Sequence, residues 1–370
     1  MGLTLITMKL ETLLPLGKVD PGLRASDQPL DISAVADQAK LLEEIGYESL
    51  ITEETKDDPF IIMGLAAQAT HKLGLGTGVA IAFPRAPAIT AMSAWTLQKL
   101  SKGRFTLGLG TQVRGHIRRR YGMEWSPPGP WIQEYIEALR AFWTCWQNGT
   151  PLDFQGEHYQ LNLMVPLFNP GPIDHPQIPV HLAAVKPVLS RISGAVADGL
   201  RPHPVCTPSY IKEVMYPAVQ LGANQSGRTL DHFDVCMKPL VATARTDEEL
   251  TKKIEDARAR IAFYASTPAY SMAFEHLGLE SIAHQAQQLS KAQNWDALPA
   301  LITDSVLDEF AVIGNYNDIA KKLIDRWADT VTHIEFSIAV TNDKDKSDLK
   351  QIADQLQATT EEKARDCIAT

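Results

Sequence analysis

Short apolar runs alternate along this chain with longer segments in which apolar residues recur every three or four positions. In the first long segment, Asp31–Tyr47, this spacing places Val35, Ala39, Leu42 and Ile45 on one side. Apolar residues at this spacing predict an amphipathic helix, and short apolar runs bounded by turn residues predict buried strands. The pattern therefore predicts strands that alternate with helices.

Eight apolar runs are predicted to be strands. They are Met8–Leu14, Glu48–Glu54, Leu73–Ile81, Arg104–Thr111, Ile178–Val185, Gly199–Val205, Phe233–Ala244 and Thr332–Ala339. Eight strands that alternate with helices are the number in a (β/α)8, or TIM, barrel. An open doubly wound sheet is the alternative, but no Gly-x-Gly-x-x-Gly follows the first strand. We therefore expect an α/β fold of the barrel type.

Two segments interrupt the alternation of strands and helices. Residues 113–177 are predicted to contain a loop up to about residue 130, a helix Trp131–Asn148 and a hairpin Leu152–Leu163. Residues 266–310 are predicted to form a mostly helical insertion. Because no linker separates these segments from the strands, we predict one domain over residues 1–370.

Composition and charge narrow the classes of function. The 370 residues are 45% hydrophobic and 21% charged, as in an ordinary globular enzyme. The net charge of −9 argues against a nucleic-acid partner or an anionic membrane surface. No apolar run approaches the roughly 18–20 residues of a membrane span, and the beginning of the chain lacks a signal-peptide pattern.

The four cysteines lie far apart in the sequence, without a Cys-x-x-Cys pair. They are Cys145, Cys206, Cys236 and Cys367. This spacing favours reduced thiols over disulfides or a zinc site. We therefore expect a cytoplasmic protein without a metal site.

Two predicted strands are rich in glycine and are separated by one predicted helix. Leu73–Ile81 carries Gly74, Gly76 and Gly78, and the next strand runs through Gly103–Gln112. A strand that ends in glycine can bring its backbone N–H groups against a flat or anionic ligand, because no Cβ stands in the way. The two strand ends therefore predict a single ligand site.

Leu73–Gly110 (LGLGTGVAIAFPRAPAITAMSAWTLQKLSKGRFTLGLG) resembles the luciferase-like (β/α)8 superfamily of flavin and deazaflavin oxidoreductases. His116–Pro127, Ile178–Val185 (IPVHLAAV) and Ile261–Tyr270 (IAFYASTPAY) are similar to its coenzyme F420-dependent branch. The resemblance implies a luciferase-like barrel that binds F420 and transfers hydride to or from a small organic substrate. An FMN-dependent monooxygenase and a non-catalytic flavin-binding protein stay open as alternatives, and we expect a homodimer.

The resemblance also implies the residues that contact the cofactor. They are Gly78, Val79, Ala80, Gly110, Thr111, Gln112, Ala183, Ala184, Val185 and Lys186. In the superfamily, a bulge with a non-proline cis peptide at the place of Gly78 and Val79 supports the cofactor ring. The turn before Pro187 begins a predicted helix, whose unpaired N–H groups suit a phosphate. The alternative is that these residues serve packing, or that Lys186 is an ordinary exposed lysine.

Two side chains are candidates for proton transfer. Glu54 ends the second strand, where family members often carry a histidine, and His203 ends the sixth strand. Residues at the C-terminal ends of barrel strands face the active-site mouth. We therefore expect Glu54 to exchange a proton with substrate and His203 to act as a substrate-side acid or base. Alternatively, Glu53 and Glu54 are solvated or cap a helix, and His203 is structural.

The surroundings of the predicted site are open to two interpretations. Arg118, Arg119 and Arg120 could bind the acidic tail of F420, or could form a solvated loop. The substrate pocket is predicted to draw on residues 113–130 and 266–310. Four aromatic residues would make its wall apolar, unless they only pack the insertion: Phe263, Tyr264, Tyr270 and Phe274.

Overall fold

A computed structural model describes residues 8–18 and 29–368, with side chains up to residue 358. Its strands are β1 (Lys9–Leu13), β2 (Ser49–Thr52), β3 (Gly74–Thr77), β4 (Ala80–Ile81), β5 (Phe105–Gly110), β6 (Phe154–Gln155), β7 (Gln160–Leu161), β8 (Val180–Ala184), β9 (Gly199–Pro202), β10 (Asp234–Met237), β11 (Leu240–Ala244), β12 (Ala311–Asn315) and β13 (His333–Glu335).

The helices lie between these strands and after the last one. They are α1 (Val35–Ile45), α2 (Pro59–Ala69), α3 (Pro87–Ser101), α4 (Arg114–Arg119), α5 (Pro128–Asn148), α6 (Pro187–Val196), α7 (Pro208–Tyr210), α8 (Tyr216–Gln225), α9 (Asp247–Ala265), α10 (Ser271–Glu275), α11 (Glu280–Lys291), α12 (Asp304–Phe310), α13 (Ile319–Trp327) and α14 (Asp343–Ile368). None of the described helices is both long and apolar enough to cross a membrane.

Parallel strands close into a barrel in the order β3-β2-β1-β13-β10-β9-β8-β5, and β5 returns to β3. The short strand β4 follows β3 after a break and also pairs with β5. Because β3 and β4 share one position in the wall, the barrel has eight strand positions. The predicted (β/α)8 fold is confirmed, including the adjacency of the two glycine-rich strands.

The amphipathic pattern of the first predicted helix packs as expected. In α1, Val35, Ala39, Leu42 and Ile45 are at most 3% exposed. Gly46 follows the helix with φ of 99°. A glycine with positive φ commonly ends a helix, because a side chain in that conformation is strained. The apolar spacing sets the buried face of α1, and the glycine sets its end.

The predicted seventh strand, Phe233–Ala244, is wrong as a single strand. Asp234–Met237 is a barrel strand between β9 and β13, whereas Leu240–Ala244 leaves the barrel and pairs in parallel with β12. Pro239 stands at the break. Proline has no backbone N–H to donate to a neighbouring strand, so it interrupts the ladder of hydrogen bonds.

The two predicted interruptions are present with changed bounds. The segment predicted to be a loop contains α4, and α5 begins at Pro128 rather than Trp131. The predicted hairpin is present as β6 and β7. The insertion after α9 is mostly helical, but β12 follows it directly, and the apolar pattern did not predict that strand.

Candidate active site

A cavity of about 700 Å³ lies at the C-terminal ends of the barrel strands. Its walls come from strand ends, from the segments around α4 and α5, and from the insertion after α9. Ten of the predicted site residues line it: Gly78, Val79, Gly110, Thr111, Gln112, Ala183, Ala184, Val185, Lys186 and His203. Residues that are far apart in the chain therefore meet at one site.

The break between β3 and β4 forms one wall of this cavity. The peptide bond between Gly78 and Val79 is cis, as the resemblance implied. A Cβ on Gly78 would lie 2.2 Å from Ile51 Cγ2, and a Cβ on Gly110 would lie 2.6 Å from Val79 Cγ2. Because non-bonded carbon atoms do not approach this closely, a side chain at either position would force Ile51 or Val79 to shift. Ala80, in contrast, is buried in β4 and does not line the cavity.

The end of β5 supplies backbone and short polar groups. Thr111 and Gln112 line the cavity directly after Gly110. Gln112 has a φ of 57°, which is uncommon for a residue with a side chain. Its Oε1 accepts a hydrogen bond from the N–H of Val113 at 2.9 Å, so the side chain holds its own turn. Thr111 therefore lines the cavity at a turn that the Gln112 side chain stabilises.

The end of β8 leads into α6, which begins with Pro187. No side chain forms a capping hydrogen bond at the start of α6. The first amides of a helix lack intrahelical partners and carry its positive dipole end. Val188 and Leu189, in this first turn, both line the cavity. The arrangement suits a phosphate, with the exposed Lys186 at the helix start.

The opposite wall of the cavity is charged. Glu53 accepts hydrogen bonds from Lys18 Nζ and Lys238 Nζ, each at 2.8 Å. Lys238 Nζ also lies 3.8 Å from Glu335 Oε1. Glu53, Lys238 and Glu335 line the cavity. They come from the C-terminal ends of β2, β10 and β13. In the barrel β13 pairs with β10 on one side and with β1 on the other, and β1 pairs with β2, so these strand ends meet in a network of ion pairs.

Glu54 does not line this cavity, contrary to the position expected for a proton-transfer group. Its Oε2 accepts hydrogen bonds from Arg85 Nη1 at 2.6 Å and from the N–H of Ile81 at 2.7 Å. Burial lowers the pKa of Arg85, but the hydrogen bonds and charges of Glu54 and Asp58 outweigh burial, so the pKa of Arg85 is raised. Successive residues of an extended chain point to opposite sides, so the carboxylate at the cavity is that of Glu53.

His203 lines the cavity beside two aromatic rings. It stacks on Tyr270 at 4.2 Å between ring centres and meets Tyr264 edge-on at 4.8 Å. Its Nδ1 accepts a hydrogen bond from the N–H of Val205 at 3.2 Å. Because a nitrogen that accepts carries no proton, the neutral ring bears its proton on Nε2. These contacts hold the His203 ring in a fixed orientation at the cavity.

An ion pair inside the barrel closes the cavity from below. Arg201 lines the cavity, and its Nη1 and Nη2 donate to Glu11 at 2.8 and 3.1 Å. Burial favours the neutral form of Glu11, but the charge of Arg201 outweighs it and lowers the pKa of Glu11. Burial raises the pKa of the Cys236 thiol, which also lines the cavity, well above its usual value. The floor therefore combines a fixed ion pair with a neutral thiol.

The other candidates from the sequence lie outside this floor and these walls. Arg118, Arg119 and Arg120 are exposed on and just after α4 and do not line the cavity. Arg120 donates to the carbonyl oxygen of Thr55 at 3.3 Å. Phe274 is buried against the ring of Phe310, so it packs the insertion rather than lining the site.

Sequence reasoning missed most of the charged wall. Nothing in the local pattern pairs Glu53 with Lys238, which lies 185 positions further along the chain. The sequence did contain a signal for Glu53. Side chains alternate between the two sides of a strand, so only one of the adjacent carboxylates of Glu53 and Glu54 can face the cavity. Tyr270 was predicted as part of an apolar wall, and it lines the cavity.

One group of described residues outside the cavity has potential metal-ligand atoms within 4.8 Å of one another: Glu134, Glu157 and His158. The Glu134 carboxylate already accepts hydrogen bonds from the N–H groups of Glu157 at 3.0 Å and His158 at 2.8 Å. These bonds hold the turn of the β6–β7 hairpin. They explain the cluster without an ion.

The chain is similar to known proteins over most of its length. A model of the luciferase-like monooxygenase family matches residues 13–333. An uncharacterized protein of Mycobacterium tuberculosis is 41% identical over 306 residues, which are 83% of this chain and 90% of that protein. The 5,10-methylenetetrahydromethanopterin reductase of Archaeoglobus fulgidus is 24% identical over 316 residues, again 83% and 90%.

A solved structure shows the same fold. The coenzyme F420-dependent tetrahydromethanopterin reductase from Methanopyrus kandleri superposes with a TM-score of 0.72 at 19% identity. The superposition covers 96% of this chain and 99% of that chain. The likeness therefore extends over the barrel and over both interruptions of the strand–helix alternation.

Proposed function

We propose that this chain, which belongs to the luciferase-like monooxygenase family, is an oxidoreductase that binds coenzyme F420 and exchanges a hydride between it and a small organic substrate. The observation that carries the proposal is the convergence of three segments on one cavity: the Gly78–Val79 break, the end of β5 and the turn before α6. The similarity to a methanopterin reductase supports a reductase over other activities in the family.

The cavity has the features that a flat cofactor with a phosphate requires. One wall consists of glycines and apolar side chains, among them Val79, Ala183 and Val185. The start of α6 lies at the edge of the same cavity and offers uncapped amides for a phosphate. Cofactor sites commonly combine apolar walls with a few placed polar groups. Gly78, Val79, Gly110, Thr111, Gln112 and the segment Ala183–Lys186 would hold the cofactor, while Ala80 would support it from behind.

When bound, F420 supplies a hydride donor or acceptor at C5 of its deazaflavin ring. The protein supplies position, an apolar surrounding and a group that handles a proton. We assign the proton-handling role to His203 or Glu53, because both line the cavity, and not to Glu54, which is bonded to Arg85. His203 can donate from Nε2, whereas Glu53 is held as an acceptor by two lysines.

Recovery of the natural ligand tests this proposal. The protein would be produced in a host that makes F420 and FMN, isolated without denaturation, and the released ligand identified by absorbance and mass. We expect a deazaflavin with a glutamate tail. Recovery of FMN, together with consumption of O2 when the reduced protein meets substrate, would instead establish the monooxygenase alternative that the family's name suggests. A ligand that never changes its redox state with any substrate would favour a binding protein.

We also propose that the protein is a cytoplasmic homodimer. Its three described cysteines are buried free thiols, as is usual where thiols stay reduced. The neighbouring helices α2 and α3 expose Ile61, Leu65, Ile89 and Met92, by 39% to 64%. A cluster of exposed apolar residues is a common mark of a protein interface. Light scattering should give twice the mass of one chain, and the double substitution I61E/M92E should give a monomer.

A further inference from the structure

A second, smaller cavity adjoins the candidate active site. It has a volume of about 160 Å³ and lies between β11 and α9 on one side and residues 336–339 on the other. It shares Pro204, Lys238 and Glu335 with the large cavity. We call it the side cavity. The two cavities are therefore direct neighbours at the C-terminal end of the barrel.

Arg260 is the unusual residue of the side cavity. It lines the cavity from α9 and is only 6% exposed. Its Nε is buried without a hydrogen-bond partner, and no described residue forms a hydrogen bond or an ion pair with its guanidinium. Arginine is almost never fully buried unless it is paired, since removal of its charge from water is costly. Among the described residues, Arg260 is thus a buried cation that no carboxylate contacts directly.

Two further groups beside Arg260 can bind an anion. Thr243 lines the cavity from β11, and its Oγ1 is also buried without a hydrogen-bond partner among the described residues. Lys253 also lines the cavity; it lies on α9 nearer the start of the helix than Arg260 does, and it is exposed. Together they place a guanidinium, a hydroxyl and an exposed ammonium around one small space. This is a donor set for an oxyanion.

The acidic groups of the side cavity do not satisfy Arg260. Asp256 lines the cavity and is exposed, and it forms no ion pair with Arg260 although it lies four residues before it on α9. Glu335 lies 3.8 Å from Lys238. Lys18, which also lines the cavity, is bonded to Glu53. The lysines at the shared edge are therefore already balanced by carboxylates, whereas the guanidinium deeper in the cavity is not.

We propose that the side cavity binds an oxyanion, a carboxylate or a phosphate, through Arg260, Thr243 and Lys253. The anion is either a free small ion or the charged end of a molecule whose body lies in the large cavity. This inference does not depend on which flavin the protein binds. If the anion is the charged end of a molecule in the large cavity, however, the substrates of the proposed oxidoreductase are restricted to molecules with an anionic end.

Calorimetric titration of the cofactor-free protein with inorganic phosphate, acetate and octanoate, at constant ionic strength, tests the proposal. We expect at least one of these anions to bind, and R260M to weaken that binding by about tenfold or more, since charge-assisted bonds are lost. R260K should restore part of the affinity. T243V and K253M should each weaken binding by a few-fold, whereas K252M, which removes the neighbouring exposed cation, should leave it unchanged.

Octanoate separates the two sources of the anion. If it binds much more tightly than acetate, the anion is the end of a larger molecule that reaches the large cavity. If inorganic phosphate binds most tightly and octanoate matches acetate, the site takes a free ion. Failure of all three anions to bind, or equal binding by R260M and the wild type, would overturn the proposal. R260M should also melt at a higher temperature than the anion-free wild type, because it buries no unpaired charge.

Discussion

The two walls of the large cavity are built in different ways. The wall made by the Gly78–Val79 break and by Gly110 is shaped by backbone, because any Cβ at these glycines would collide with a neighbour. The opposite wall is shaped by paired side chains, with Glu53 held between Lys18 and Lys238. One wall is a close-packed apolar surface, and the other is a charged network above the buried Glu11–Arg201 pair.

In the candidate site, packed backbone therefore determines the shape of one wall, and ion pairs determine the charge of the other. A backbone wall tolerates no added volume, so substitutions there should act on ligand binding. A charged wall and its floor depend on each partner of an ion pair, so substitutions there should act on stability as well. We therefore expect substitutions in the two regions to differ in what they change, unfolding free energy for the charged wall and cofactor affinity for the backbone wall.

Removal of one charge from the floor should give the largest loss of stability. In E11Q the Arg201 guanidinium stays buried without its carboxylate partner, and such a loss costs about 3–5 kcal/mol of unfolding free energy. Chemical denaturation measures this quantity. The control is E48Q, which breaks the exposed pair between Glu48 and Lys9 and should cost about 1 kcal/mol at most.

If E11Q proved as stable as E48Q, the floor would not depend on its ion pair. A double variant sharpens the test. E11L/R201L removes both charges, and it should recover a large part of the stability that E11Q loses, because no unpaired charge remains. A further loss in the double variant would instead mean that Arg201 stabilises the barrel through contacts other than Glu11.

The glycine wall should respond to one added methyl group. In G110A the new Cβ would meet Val79 Cγ2 at 2.6 Å and push it toward the cavity. Overpacking of this kind costs about 1–3 kcal/mol; if this cost falls on the ligand-bound state, cofactor binding is weakened by roughly 5–150-fold. Fluorescence titration of F420 measures the change. In the matched control G115A, on α4, the new Cβ has no atom within 4 Å.

G115A should bind F420 as the wild type does, because it adds the same methyl group in open space. Equal affinity of G110A and G115A would show that the glycine wall does not touch the ligand. The comparison between the two variants therefore reports on position and not on the general effect of replacing glycine.

The smallest expected effect concerns the turn before α6. Lys186 is exposed, so its charge is screened by water. K186E should weaken cofactor binding by about 1 kcal/mol, or about fivefold, if its ammonium assists the amides of α6 in binding the phosphate. K291E, which makes the same change of charge on α11, serves as the control. An unchanged affinity of K186E would assign the phosphate to the backbone amides alone.

Sequence patterns predicted the backbone wall well and the charged wall poorly. Gly78 and Gly110 stand in short apolar runs rich in glycine, so the strand ends that carry them could be predicted from nearby residues, although the contacts that exclude a Cβ there come from other strands. The partner of Glu53 depends on which strands become neighbours, and this is set by barrel closure over the whole chain. Strand alternation distinguishes Glu53 from Glu54, but only the fold shows that Arg85 binds the second carboxylate.

The split of the predicted seventh strand also depends on pairing between distant parts of the chain. The apolar run Phe233–Ala244 is continuous, and its pattern does not distinguish a barrel strand from one outside the barrel. Pro239 marked the break, but the pairing of β11 with β12 joins segments about 70 residues apart. Arg260 could not be recognised at all as an unpaired cation, because burial and partners are properties of the folded chain.

Comparative binding of F420 and FMN to the same cofactor-free protein tests the central claim most directly. Both cofactors would be titrated by fluorescence quenching at matched salt, with G110A as a check that the large cavity is the site measured. The account predicts that F420 binds at least about tenfold more tightly than FMN, a difference of about 1.4 kcal/mol. Equal or tighter binding of FMN would contradict it.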